Sequence, residues 1–113
     1  MPTAIYIYCP PHQAGVAGAC RSDLEDAVEG FFGDAAELSG AGSGNLGFNL
    51  DFELADGQDV ESWVVRLREF LKLANARPGT VFEVFPPDWE PGTAWRRVEV
   101  YGADRWLTER DPK

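Results

Sequence analysis

The chain is poor in the residues that build catalytic and metal centres: its 113 residues include one histidine, two cysteines and one methionine. The single histidine, His12, leaves Ser-His-Asp chemistry resting on one residue, and no Gly-x-Ser-x-Gly turn accompanies it. Cys9, His12 and Cys20 follow the pattern C-x2-H-x7-C, and thiolate and imidazole are good zinc ligands. A structural zinc needs four ligands, so Asp23 or Asp26 would have to complete the set; a catalytic zinc could use three and a water. Against that stands the ordinary role of a cysteine at a strand end, as a small core residue. No metal site and no cofactor is expected, and both cysteines are expected as free thiols. No stretch approaches the roughly 18 consecutive apolar residues of a membrane span. Met1-Pro2-Thr3-Ala4 lacks the basic and apolar regions of a secretory leader, so the expected compartment is the cytoplasm. Lysine and isoleucine are scarce beside arginine and alanine, a bias that fits a GC-rich bacterial genome and says nothing of function.

Positive charge is also in short supply. The net charge is −9, and it is unevenly placed. Residues 1–62 carry eleven carboxylates against one base, Arg21, whereas residues 63–113 are nearly balanced. A field of this sign repels nucleic-acid phosphates and anionic lipid, so neither nucleic acid nor membrane is an expected partner. It favours a basic protein partner, although the same acidity would also serve solubility alone.

What is present suffices for a packed core. The apolar fraction is 44% and the aromatic fraction 12%, in a length typical of one domain. A single domain over 1–113 is expected, its last few residues frayed. Residues 3–8 (T-A-I-Y-I-Y) alternate Ile5 and Ile7 with Tyr6 and Tyr8, the pattern of a strand, which Pro10-Pro11 stops. Ser22-Asp23-Leu24-Glu25 has the form of a capping box. Leu24, Ala27, Val28, Phe31 and Phe32 then make one apolar stripe of a helix that Gly33 ends. A short strand is expected over 36–42. Phe48, Leu50, Phe52 and Leu54 alternate with polar residues in the clearest strand of the sequence. Caps within 56–59 precede a second helix with Val60, Trp63, Val64, Leu67, Phe70, Leu71 and Ala74 on one face. Strands follow over 80–85 and 94–101, separated by the proline-rich 86–92, and a final turn is expected around Trp106-Leu107. The fold class is α+β: a two-layer sandwich with two helices on one face of a mostly antiparallel sheet. Its order follows a ferredoxin-like β-α-β-β-α-β core with an extra C-terminal strand.

The glycines at 40, 42, 44 and 47 invite a phosphate-loop reading. They run into a strand rather than a helix, and no Gly-Lys-Ser/Thr follows, so a hairpin, bulge or mobile loop is expected instead. Asp51 and Glu53 project from one strand face and could serve acid–base chemistry or simply be solvated. The more informative feature is the whole sheet face opposite the helices. The helix side should carry Ile5, Ile7, Phe48, Leu50, Phe52, Phe82, Val84, Val98 and Val100. The other side then carries Tyr6, Tyr8, Asn49, Asp51, Glu53, Glu83, Phe85, Trp95, Arg97, Glu99 and Tyr101, rich in the aromatics and arginine that favour interfaces. Either the C-terminal segment or a second copy could cover it instead. Trp89, among prolines in 86–92, is a further candidate contact. The leading expectation is therefore a small acidic binding protein that engages a basic protein partner, such as a toxin-neutralising immunity protein. The alternatives are a dimeric small-molecule-binding or enzymatic domain and a structural or assembly subunit, with a homodimer open in each.

Overall fold

The computed structural model describes residues 2–11, 18, 20–44 and 47–108. The expectations for His12 and for the frayed end lie outside the described residues.

The protein is α+β, with six strands and two α-helices among the described residues. Strand β1 is Thr3–Cys9, helix α1 Arg21–Phe32, β2 Ala36–Gly44, β3 Gly47–Leu54, α2 Val60–Leu73, β4 Val81–Phe85, β5 Trp95–Glu99 and β6 Asp104–Leu107. The strand order is β2-β3-β1-β4-β5-β6. Every neighbouring pair is antiparallel.

Period-two alternation decides which side of each strand is dry. Each of the nine residues expected beneath the helices is buried. The stripes of the helices close over them: Leu24, Val28 and Phe32 from α1, and Trp63, Val64, Leu67 and Leu71 from α2. The helices also meet each other, with the Phe31 ring stacked on Phe70 at 4.5 Å and edge-on to Trp63 at 5.4 Å. Both helices therefore cover one face of the sheet and leave the other open.

The helix ends follow the sequence in three places out of four. Gly33 ends α1 at φ 55, a conformation that suits glycine. Asp59 caps α2, its carboxylate accepting from the Ser62 amide at 3.3 Å. Asn75, at φ 61, takes the left-handed position just beyond α2. The capping box is the exception. Helix α1 starts two residues earlier, after Cys20, with no side-chain cap, so Ser22 sits inside the first turn and meets Cys20 Sγ at 3.6 Å.

The C-terminal part also departs from expectation. Two strands, not one, extend the sheet beyond β4: residues 104–107 pair with β5 as β6, where a turn was expected. Arg96 fixes this edge from the helix side. Its guanidinium donates to both Asp104 carboxylate oxygens at 2.8 and 2.7 Å and to Glu61 on α2 at 2.6 Å. The Trp106 ring lies 5.6 Å from it.

Hydrogen bonding to Arg96 holds the Asp104 carboxyl below its ordinary value. A carboxylate so depressed stabilises the fold above the unfolded value of about 3.9, and that contribution is lost as pH falls through its folded value. Denaturant unfolding of the wild type is thus expected to lose more stability between pH 7 and pH 3 than that of Asp104→Asn. Equal losses would show that the pair contributes nothing to acid sensitivity.

Candidate functional site

The open face is built from side chains that alternate with the core residues, and strand register sets them in rows. The first row runs Glu37, Glu53, Ala4 and Phe85 across β2, β3, β1 and β4, then Trp95 and Leu107 across β5 and β6. The second runs Gly40, Asp51, Tyr6, Glu83, Arg97 and Arg105. The third holds Gly42, Asn49, Tyr8, Val81 and Glu99. The strands of the acidic first half are neighbours, so the charge split along the sequence becomes a split in space. Carboxylates stand toward the β2 edge, and Arg97 and Arg105 toward the β6 edge.

The middle of the face is aromatic and partly roofed. Phe85 stacks on Trp95 at 5.1 Å, meets Tyr6 at 5.5 Å and takes Trp89 edge-on at 5.2 Å. Trp89 reaches it because the 86–94 connection folds back over the sheet, its indole N–H donating to the Thr93 carbonyl at 2.8 Å. Asp88 makes this bend at φ 59, a conformation that aspartate tolerates better than most side chains. Phe85 and Trp95 are buried in consequence, at 5% and 1% exposure. They hold the site together and present little surface of their own. Glu83 is buried too, paired with Arg97 at 3.4 Å.

The other proposed contact residues have different situations. Tyr6, Asp51, Arg97 and Glu99 are half-buried, and Tyr8 and Glu53 are exposed. Asp51 accepts from the Asn49 amide at 3.0 Å. Tyr101 lies in the turn after β5, at the rim, its hydroxyl donating to the Ala76 carbonyl at 2.6 Å. The structure thus brings eleven of the twelve candidate contact residues onto one face or its roof, with Tyr101 beside them.

At the β2 edge carboxylates gather. Glu37 and Glu53 are direct cross-strand partners, an arrangement of like charges that costs stability. No ion pair among the described residues reaches either of them. They border a groove of about 630 Å³ that also receives Glu29, Asp34 and Asp56 and has no basic residue among the described residues of its walls. Glu37 and this groove were missed in the sequence; the signal was the parity of 37, but a strand of small residues gives no alternation to read.

The other candidates are structural. The glycines lie in the β2–β3 hairpin, where a bulge at Ser39 interrupts the register. A Cβ at Gly40 would lie 3.3 Å from Asp51 Oδ2 and one at Gly42 3.1 Å from Asn49 Oδ1, so these glycines make room for the polar residues of β3. Cys9 is buried, and burial pushes its thiol up to about 11, far from the thiolate that catalysis or metal binding uses. Among the described residues no group of three or more His, Cys, Asp or Glu side chains could hold a metal ion. Nor is any helix among them long and apolar enough to cross a membrane.

A scan of family models gives no match to this chain, and comparison with curated proteins and with solved structures gives none either.

Proposed function

We propose that this is a binding protein whose open sheet face engages a basic protein partner, in the manner of a small inhibitor or immunity protein that covers a cationic surface. The observation that carries the reading is the Glu37–Glu53 pair: two exposed carboxylates held side by side, with no ion pair to either among the described residues, at the edge of an acid-lined groove. An arrangement that lowers stability is accounted for if a cationic surface neutralises it on binding. The aromatic centre beside it supplies the rigid apolar area that interface hot spots use. The reading sets the protein in the cytoplasm, where an exposed free thiol such as Cys20 stays reduced. It takes β1 to β4, in the order β2-β3-β1-β4 with two helices on one face, as a ferredoxin-like core to which β5 and β6 are appended.

A second copy fits the face less well. Arg97 is already paired with Glu83, which leaves Arg105 as the cation that a two-fold-related acidic half would meet among the described residues of that face.

The test is affinity capture from lysate at low and high salt with three baits: the wild type, Glu37→Lys/Glu53→Lys, and Asp23→Lys/Asp26→Lys on α1. The expected result is a basic protein held by the wild type and the helix variant, released by salt, and lost by the sheet variant. Equal recovery by all three baits would overturn the reading, because it would mean that net charge rather than this face does the binding.

A further inference from the structure

Between Glu53 and Phe85 the first row of the open face contains only the methyl group of Ala4. Strands spaced by about 4.8 Å put these two neighbours roughly 10 Å apart across it. The small residue leaves a hollow of about 370 Å³, with Ala4 as its floor. Glu53 and Phe85 flank Ala4 on the neighbouring strands, and Tyr6, Trp89, Asp88, Pro2 and Pro86 complete the lining. Two carboxylates and three aromatic rings lining one hollow attract a cation twice: through the charges, and through the negative ring faces. The site is also preorganised. The Trp89 indole is tied to Thr93, and the Tyr6 and Phe85 rings are packed against each other. Glu53 borders both this hollow and the acidic groove, so a chain lying along the groove could insert a side chain here.

We infer that the hollow over Ala4 is a specificity pocket for one cationic side chain, a lysine ammonium or an arginine guanidinium, of the basic partner. This rests on the reading of the open face given above. The two cations share the chemistry of the site but differ in shape: a guanidinium can stack flat on the Tyr6 or Trp89 ring, whereas an ammonium is a point charge.

The test is a titration with Nα-acetyl-lysine methylamide, Nα-acetyl-arginine methylamide and, as the uncharged control, Nα-acetyl-norleucine methylamide. It is followed by the Trp89 indole N–H resonance, assigned with Trp89→Phe. At least one cationic probe is expected to shift that resonance and the Ala4 and Glu53 amides saturably, and the stronger of the two names the side chain. Norleucine is expected to leave them unmoved. Glu53→Gln should weaken the binding about tenfold. Ala4→Leu, which fills the hollow without entering the core, should abolish it and leave the core resonances in place. An equal response to norleucine, or unchanged binding by Ala4→Leu, would overturn the pocket. Saturable binding of a cationic probe without any captured basic partner would sink the functional reading and leave the pocket standing. A captured partner bound equally by wild type and Ala4→Leu would do the reverse.

Discussion

Replacing Trp95 with alanine is expected to cost about 3–5 kcal/mol of folding stability, a large share of the 5–15 kcal/mol that holds a domain of this size together. Trp95 projects from the face opposite the helices, yet it is 1% exposed. Phe85 stacks on it at 5.1 Å, and Leu107 is its cross-strand neighbour. Phe85 is in turn roofed by Trp89. Removing the indole would leave a cavity under that roof that a strand-fixed backbone cannot close. The contrast is Trp106, 58% exposed on the other side of the sheet, where alanine should cost about 1 kcal/mol or less. Urea unfolding of the two variants measures the difference. Similar small losses would mean that the open face has no apolar core of its own, and the account of the roofed centre would be wrong.

Gly47→Ala is the second large effect, expected to destabilise by about 2–3 kcal/mol or more. Gly47 opens β3 at φ 110, where an L side chain is strained. A Cβ there would overlap the carbonyl oxygen of Cys9 and lie 2.9 Å from the carbonyl carbon of Pro10. Both are backbone atoms, so neither can swing away. Close approach of the β2–β3 hairpin to the end of β1 is thus what this glycine permits. Gly44, with nothing within 4 Å of the same atom, provides the control. Alanine there should be neutral or stabilise by up to about 1 kcal/mol. If Gly47→Ala instead unfolds at the wild-type urea concentration, the close approach at the hairpin does not hold.

The two large effects mark where sequence reasoning stops. Alternation assigned faces correctly: Ile5, Ile7, Leu50, Phe52, Phe82 and Val98 all lie under the helices because a strand has only two sides. Alternation says which way a side chain points, not whether something else covers it. Trp95 and Phe85 were placed on the open face, but their burial depends on how the 86–94 connection folds back, a contact no local pattern encodes. Arg96 has the parity of the helix side, and its partners are Asp104, on the strand β6 that the sequence did not show, and Glu61, from a distant part of the chain that only the tertiary fold brings near. Strand β6 escaped because Asp104-Arg105-Trp106-Leu107 is short, charged and exposed, as edge strands often are. The charge split was legible by counting. Its meaning in space was not, because it depends on β1, β2 and β3 being neighbours.

The same limit applies to the site. The acidic and aromatic residues were found by type and parity, whereas the hollow between Glu53 and Phe85 exists because Ala4 is small and stands between them in register. A lone alanine in a strand carries no signal of its own.

The central claim is that the open face, at its acidic side, is where the partner sits. The most direct measurement is the backbone amide spectrum of the labelled protein with and without the captured partner. The account predicts perturbations concentrated in β2, β3 and β1 and at Trp89, with the outer surface of α2 and the first two turns of α1 unchanged. Perturbations centred on the helices, with the Glu37, Glu53 and Ala4 amides unmoved, would contradict it.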